Sequence, residues 1–198
     1  MRLSPRIYLL IIAAMFLVPL LLAWFMYSGT IEYKPASTRN LGELVEPPLP
    51  TSWDGVDIIG VDGQVTAAAG EDLAKHWVIL QPVPAQCDDP CVQHVTQLRQ
   101  IHRAAGRDQS RVRNALLLTE PVSPKTITHL QQIYADFRLL RNRDGSLESA
   151  MSQASEAADS TYLIDPLGNI MMLYAAGADP NHLKKDLKRL LTWSKLDE

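Results

Sequence analysis

The sequence lacks an excess of positive charge, internal repeats and low-complexity tracts. Its 198 residues include 19 Lys and Arg against 22 Asp and Glu, for a formal net charge of -3. A surface that binds nucleic acid needs a basic excess to neutralise phosphates, so nucleic acid is not expected as a partner. The hydrophobic content of 46% is typical of a globular chain, and the length predicts one domain with an appendage.

One long apolar run is present, from Ile7 to Tyr27, and it carries no charge. About 20 apolar residues span a bilayer as a helix, so the run predicts a membrane-spanning anchor. Pro19 lies inside it, which a spanning helix tolerates. Arg2 and Arg6 are the charges that precede it. The positive-inside rule then keeps the N-terminus cytoplasmic and places everything after Tyr27 outside the cytoplasm.

The end of this run lacks the small-x-small site of a cleaved signal peptide, which favours an uncleaved anchor. Either form places the soluble part in an oxidising compartment, where a cysteine pair persists as a disulfide. We predict a cytoplasmic N-terminus at residues 1–6, a transmembrane anchor at 7–27, a proline-rich linker at 28–52 and a folded domain at 53–198.

Several short signals predict the elements of the domain. Asp62-Gly63 lies between β-prone runs and predicts a hairpin turn. The apolar run at residues 76–81 predicts a buried strand. Asp89-Pro90, Ser123-Pro124 and Asp179-Pro180 each predict an N-cap followed by proline at the first helical position. These signals place three helices after the first buried strand.

Further strands are predicted at residues 111–120, 160–165 and 169–174, with a turn at 165–168 joining the last two. The apolar face of the second helix is predicted to comprise Ile127, Leu130, Tyr134 and Phe137. The order is hairpin, strand, helix, strand, helix, strand, strand, helix. It predicts an α/β, thioredoxin-like fold, with a central mixed sheet flanked by helices.

Cysteine is scarce, and both cysteines lie at the start of the first predicted helix, Cys87 in the preceding loop and Cys91 in the first turn. At this spacing their Cα atoms can approach to about 5.5–6 Å, within disulfide range. A disulfide that closes so short a loop stabilises much less than the roughly 3 kcal/mol of a 15-residue loop. The pair can therefore be a redox couple, a Cu(I) ligand pair, or an inert disulfide.

The groups around the two sulfurs have opposite effects on the stability of the thiolate form. A helix start stabilises a thiolate, whereas the carboxylates of Asp88 and Asp89 disfavour it. His94, three residues after Cys91, is a candidate third copper ligand or a group that tunes the thiol. The sequence leaves these roles open.

The anchor and linker, the motif CDDPC after the first core strand, and YLIDPLGNIMMLY followed by DPNHLKKDLKRLL together resemble the Sco/SenC family. The resemblance covers residues 53 to 193. It implies a thioredoxin-like protein of the bacterial inner membrane, with its C-terminal domain in the periplasm. The implied role is thiol–disulfide exchange or Cu(I) transfer during assembly of the copper centre of cytochrome c oxidase. The implied client is cytochrome c oxidase subunit II or another membrane-embedded copper-site protein.

Two features of such proteins are missing here. The usual copper-ligand histidine precedes YLIDP, and Ala157 stands at about its place. Thioredoxins carry a cis-proline where Ser160-Thr161 stands, so a broad reductase is disfavoured. Without the imidazole, two sulfurs should hold copper more weakly.

The leading prediction is a thiol–disulfide oxidoreductase of narrow specificity. Cys87 attacks the client disulfide and Cys91 resolves the mixed disulfide. A Cu(I) transfer protein that uses Cys87, Cys91 and His94 is one alternative, and a non-catalytic assembly scaffold is another.

Overall fold

The computed structural model of the chain describes residues 4–28, 39–60, 62–84, 86–120, 122–133, 135–157 and 159–194. It divides into two units, Met1–Arg39 and Asn40–Glu198. The first unit contains helix α1 (Pro5–Tyr27), and the second contains all the other described elements.

Helix α1 has the character predicted for residues 7–27. Its 23 residues are long and apolar enough to cross a membrane, as judged from length and composition, and the described part of the chain has one such helix. None of its residues is buried. Pro19 lies inside the helix, as predicted. The helix begins two residues before the predicted boundary, because Pro5 suits the first helical position.

The second unit contains eight strands, five α-helices and one short 3-10 helix among its described residues. In chain order these are β1 (Glu43–Pro50), β2 (Val56–Ile59), β3 (Val65–Ala68), α2 (Ala69–Leu73), β4 (Trp77–Val83), α3 (Asp89–Ala104), the 3-10 helix (Gly106–Arg111), β5 (Val112–Leu118), α4 (Pro124–Ile133), β6 (Phe137–Asn142), α5 (Ser146–Ala154), β7 (Thr161–Ile164), β8 (Asn169–Tyr174) and α6 (Pro180–Trp193).

The eight strands form one mixed sheet in the order β1-β8-β7-β4-β5-β6-β2-β3. Strands β4, β5 and β6 run parallel. The pairs β2–β3 and β7–β8 are antiparallel hairpins, at the two places where the sequence predicts them. The predicted fold class, a central mixed sheet flanked by helices, is confirmed.

Strand β4 separates two hydrophobic cores. Successive side chains on a strand point to opposite faces, and the residues of β4 follow this rule. Trp77 and Ile79 pack in the core that holds the buried residues of α3, α4 and α6. Val78 and Leu80 pack in the core that holds those of α2 and α5. The strand is therefore apolar on both sides, as buried parallel strands are.

The structure corrects two sequence predictions and contains elements that the sequence did not predict. The segment 43–50, predicted as part of the linker, forms edge strand β1 and pairs with β8. Prolines argue against a strand, but an edge strand accepts them, and the register shifts where Pro47 and Pro48 lie. Phe137, predicted on the second helix, lies in β6, because α4 ends at Ile133. Tyr134 lies outside the described residues. Strand β6 and the short helices α2 and α5 were not predicted.

A buried carboxylate explains why the chain joins the sheet so early. Asp186 on α6 is 3% exposed. Its Oδ2 accepts hydrogen bonds from the backbone N–H groups of Leu41 and Gly42, at 2.7 and 2.9 Å, and from the Tyr174 hydroxyl at 3.2 Å. Its Oδ1 accepts from Arg189 at 3.2 Å. These bonds hold residues 41 and 42 beside the end of β8.

Position 42 must be glycine because its backbone lies close to the ring of Tyr174. A Cβ at this position would lie 2.5 Å from Cε1 of the Tyr174 ring, well inside contact distance. The close approach of backbone to ring buries Tyr174. Burial raises the pKa of this tyrosine, and the neighbouring Asp186 carboxylate raises it further. The phenol therefore stays protonated and donates its hydrogen bond at any physiological pH.

The variant Asp186→Ala tests the contribution of these Asp186 hydrogen bonds, called here the Asp186 clamp. It removes a charged acceptor from four donors and leaves the buried Tyr174 hydroxyl without its carboxylate partner, so we expect a loss of about 3 kcal/mol in the free energy of unfolding. Denaturant unfolding of the full-length protein in an uncharged detergent measures the change. The matched control is Asp54→Ala at an exposed position, which should cost less than about 0.5 kcal/mol. Equal losses in the two variants would contradict the clamp.

Candidate functional site

The candidate site lies where strand β4 ends and helix α3 begins. The strand is buried at every position and ends at Val83, at the carboxyl edge of the parallel strands. In open α/β sheets, ligand crevices lie outside this edge. Helix α3 begins at Asp89, so a short loop joins strand and helix. Both cysteines lie at this corner, Cys87 in the loop and Cys91 in the first turn of the helix.

Cys87 and Cys91 are joined in a disulfide, with their Cα atoms 5.2 Å apart. The separation lies within the usual range for disulfides, which agrees with the prediction that the pair can bridge. Both residues are partly buried and pack against the core that contains α3. The bond therefore lies at the boundary between core and solvent.

The structure corrects the predicted N-cap of α3. Asp88, not Asp89, is the cap. Its backbone is extended, with ψ -179°, and its Oδ1 accepts a hydrogen bond from the Cys91 N–H at 3.1 Å. Asp89 is the first helical residue and Pro90 the second. A cap needs non-helical backbone and a side chain that reaches the second or third helical N–H, and Asp88 meets both conditions.

Beneath the site, His94 joins two strands through a polar network. Its Nε2 lies 2.9 Å from Gln81 Oε1 and 3.0 Å from Thr161 Oγ1. The Thr161 hydroxyl also donates to Gln81 Oε1 at 2.6 Å. Gln81 on β4 is 6% exposed and Thr161 on β7 is 2% exposed. Gln81 donates its amide to the carbonyl oxygens of Pro82 and Asp159, at 3.0 and 3.4 Å.

This network assigns the tautomer of His94. The Thr161 hydroxyl hydrogen is engaged by Gln81, so Thr161 Oγ1 offers His94 only lone pairs, as Gln81 Oε1 does. His94 Nε2 therefore carries hydrogen, and a neutral ring leaves Nδ1 with the free lone pair. Burial lowers the pKa of His94, which favours this neutral form. The nitrogen that remains for a ligand or a proton is Nδ1.

A groove with a volume of about 620 Å³ runs beside the disulfide. Cys91 and His94 line it from α3, and Gln81 lines it from the end of β4. The rest of the lining comes from the loop between β4 and α3, from Asp159 before β7, and from the segment between β8 and α6. The groove gives the Cys91 side of the disulfide access to solvent.

No metal centre is assembled in the described residues. They contain no group of three or more His, Cys, Asp or Glu side chains placed to hold a metal ion. Ala157, about where the resemblance to Sco/SenC proteins implies a copper-ligand histidine, is exposed in the loop before β7. The sulfur ligands predicted from the sequence are engaged in the disulfide, and the Nε2 of His94 is engaged by its neighbours. His94 as a copper ligand stays a prediction.

Sequence reasoning missed Gln81 and Thr161. The signal for Gln81 was its place in the otherwise apolar run WVILQPV, since a buried polar side chain needs partners. For Thr161 the sequence indicates only that it stands where thioredoxins carry a cis-proline, which does not predict its hydrogen bonds. In the register of β4 and β7, Leu80 lies opposite Tyr162, so one step further Gln81 faces Thr161. This pairing depends on tertiary structure.

A mixed sheet covered by helices on both faces, with a cysteine pair where the central strand meets a helix, defines a thioredoxin-like protein. The sequence supports this class directly. Residues 77–194 match the family described as transmembrane-like, thioredoxin-like, C-terminal domain, and the chain belongs to this family. Comparison with curated proteins finds no match.

Solved structures with the same fold include Sco family proteins. Arabidopsis thaliana ScoI with copper bound has a TM-score of 0.54 and 14% identity, covering 74% of this chain and 98% of its own. A SCO1/SenC family lipoprotein from Bacillus anthracis str. Ames has a TM-score of 0.53 and 16% identity, with coverages of 74% and 98%. BsSco has a TM-score of 0.51 and 15% identity, with coverages of 81% and 100%. These likenesses establish the fold and agree with the resemblance of the sequence to Sco/SenC proteins.

The cap assignment is tested by comparing two neighbouring aspartates. Asp88→Ala should lower the free energy of unfolding by about 1 kcal/mol because it removes the cap, and Asp88→Asn should cost little because Asn also caps. Asp89→Ala should cost less than Asp88→Ala, since it loses only a screened interaction with the helix dipole. Denaturant unfolding of the oxidised full-length protein measures all three. A larger loss of unfolding free energy for Asp89→Ala than for Asp88→Ala would show that Asp89 is the N-cap.

Proposed function

We propose that the protein assists assembly of cytochrome c oxidase by thiol–disulfide exchange on the copper-binding subunit II of that enzyme, acting as a narrow-specificity oxidoreductase. The proposal places the protein in the bacterial inner membrane as a single-pass protein. Residues 1–6 stay cytoplasmic, residues 7–27 form the anchor, and the C-terminal domain lies in the periplasm.

The disulfide between Cys87 and Cys91 is the observation that carries the proposal. Its short loop contributes little stability, so retention of the fold does not explain it. It lies where a central strand meets the N-terminus of α3, and the groove beside it gives a second protein a route to the bond. A dithiol at this position suits exchange with a client disulfide.

The exchange balances as a two-electron transfer. In the reduced protein, the Cys87 thiolate attacks one sulfur of the client disulfide, forms a mixed disulfide and releases one client thiolate. The Cys91 thiolate then attacks the Cys87 sulfur, closes the Cys87–Cys91 disulfide and releases the second client thiolate. The client is reduced and the protein is oxidised. A dithiol protein on the same side of the membrane must supply the two electrons that restore the cycle.

Loop and helix support these roles for the two cysteines. Cys87 lies in the loop before α3, outside the helix that fixes Cys91, and we assign it the attack on the client disulfide. Cys91 lies in the first turn, where its backbone N–H is held by Asp88. A fixed second cysteine four residues away is suited to resolve the mixed disulfide because the two Cα atoms are 5.2 Å apart when the bond has closed.

The oxidase context rests on the structural neighbours. BsSco is described as a member of the Sco family of cytochrome c oxidase assembly proteins, with a disulfide switch. The helix at Pro5–Tyr27 supports attachment to a membrane that also holds the client. Arg2 and Arg6 before this helix favour a cytoplasmic N-terminus.

A second candidate function is Cu(I) transfer, with copper as cargo. It is favoured by the copper bound in Arabidopsis thaliana ScoI. After reduction, Cys87 and Cys91 offer two thiolates, and Cu(I) prefers sulfur ligands. His94 offers Nδ1, whereas its Nε2 is held by Gln81 and Thr161. The donor set suits Cu(I) better than Cu(II).

Trapping separates the roles of the two cysteines. In the Cys91→Ser variant, Cys87 can attack but nothing resolves the intermediate, so a mixed disulfide with the copper-binding subunit should accumulate. Non-reducing electrophoresis and mass spectrometry of the full-length variant in its membrane detect it. Cys87→Ser is the matched control and should trap nothing. Trapping by Cys87→Ser alone would exchange the two roles. Normal oxidase assembly in the double serine variant would exclude the exchange function.

Copper titration tests the second candidate. The reduced full-length protein, in competition with a mild Cu(I) chelator, should take up one Cu(I) per chain, and the Cys87→Ser, Cys91→Ser variant should take up none. The oxidised protein serves as a further control because its sulfurs are not thiolates. His94→Ala reports separately on the imidazole, and an unchanged affinity removes His94 from the ligand set. Equal Cu(I) uptake by wild type and double variant would exclude a copper site at these cysteines.

A further inference from the structure

We propose that the groove beside Cys91 docks a client segment whose disulfide cysteine is flanked by lysine or arginine. This inference rests on the proposed exchange function and specifies the class of client segment that the site accepts. Three aspartates, Asp88, Asp159 and Asp179, line this groove together with Cys91.

Charge complementarity is the first argument. The three carboxylates come from three separate places in the fold. Asp88 caps α3, Asp159 precedes β7, and Asp179 caps α6. All three are exposed, so solvent and a docked segment can reach them. Among the described residues that line the groove, none is lysine or arginine.

The N-termini of α3 and α6 do not cancel this charge. A helix N-terminus carries the equivalent of roughly +0.5 elementary charge, whereas each capping aspartate contributes a full negative charge when ionised. Asp179 accepts a hydrogen bond from the Asn181 N–H at 2.9 Å, which lowers the pKa of its carboxyl. His182 and Lys185 of α6 also act on the Asp179 carboxyl, but neither lines the groove. At the start of α3 the adjacent carboxylates outweigh the helix dipole, and Asp159 adds a charge that no helix start offsets. The groove attracts cations and repels anionic partners.

The remaining lining suits a peptide. Gln86, Gln93 and Gln97 offer neutral amide donors and acceptors, and the prolines of the wall, Pro82, Pro84, Pro90 and Pro180, offer flat apolar contacts. Amides can pair with the backbone of an extended segment while pockets contact its side chains. The volume of about 620 Å³ lies within the roughly 300–1,000 Å³ of ligand sites, enough for a short segment.

A basic flank also assists the chemistry. In the exchange step a client thiolate leaves, and a thiol of lower pKa leaves faster. Lysine or arginine beside the client cysteine stabilises that thiolate. The same charges that dock the segment against Asp159 and Asp179 therefore favour the release of its sulfur. Cationic residues beside the client cysteine therefore favour both docking in the groove and departure of the client thiolate.

The test uses two synthetic peptides, each with one internal disulfide and identical except for lysine or glutamate beside the cysteines. The reduced full-length protein, in an uncharged detergent at about 20 mM ionic strength, is mixed with each peptide, and formation of the Cys87–Cys91 disulfide is timed by mass spectrometry. Each rate is divided by the rate of dithiothreitol with the same peptide, which removes the intrinsic reactivity of the peptide. The readout is the lysine-to-glutamate ratio of these normalised rates.

We expect a ratio of about tenfold or more for the wild type, falling toward one at about 0.5 M salt. Asp159→Asn with Asp179→Asn should bring the ratio toward one at low salt, because Asn keeps the cap of α6 but removes the charge. Asp159→Asn alone, which alters no cap, should reduce the ratio in part. The matched control is Asp62→Asn in the β2–β3 turn, at the opposite end of the strands, and it should leave the ratio unchanged.

The outcomes separate this inference from the proposed function. Exchange at equal normalised rates with both peptides overturns the docking inference and leaves the exchange function standing. A lysine preference that persists in the Asp159→Asn, Asp179→Asn variant also overturns it, because charges elsewhere would then cause the preference. Exchange with neither peptide overturns the exchange function itself, and the docking inference with it.

Discussion

Burial of strand β4 on both faces is the constraint on which the site depends. Helices α3, α4 and α6 cover one face and α2 and α5 the other, so the strand has no freedom to shift its register without moving apolar side chains between two cores. Its parallel pairing with β5 extends from Trp77 to Val83. The chain must then leave the sheet at a fixed place. The loop that follows carries Cys87, and the helix that starts beyond it carries Cys91.

The polar network under the disulfide uses the same strand. Gln81 stands on the α3 side of β4, one pair of residues beyond the apolar Ile79. A buried amide left without partners would be costly. Thr161, His94 and two backbone carbonyls satisfy it. The network links β4, β7 and α3 directly beneath the cysteines, so it orders the floor of the groove and holds the imidazole in one tautomer.

Local signals predicted most of the fold. The Asp62-Gly63 and Asp165–Gly168 turns, the apolar run of β4 and the Asp179-Pro180 start of α6 all have physical causes that act within a few residues, such as turn conformation, burial and capping. Strand β1 could not be predicted this way because its prolines argue against pairing. It forms because Asp186, far away in the sequence, binds the backbone of Leu41 and Gly42. The N-cap of α3 was predicted at Asp89 but lies at Asp88. Two adjacent aspartates offer similar side chains, and only the backbone conformation distinguishes them.

The sequence by itself determined the apolar N-terminal helix, the buried strand β4 and the proximity of Cys87 and Cys91, since each depends on spacing and polarity along a continuous stretch. Tertiary structure decided which groups surround the sulfurs. It brought Gln81 and Thr161 to His94, and it brought aspartates from three loops to one groove. Such neighbours come from strands and loops far apart in the chain, and their proximity arises from the order and register of the strands, which no local pattern records.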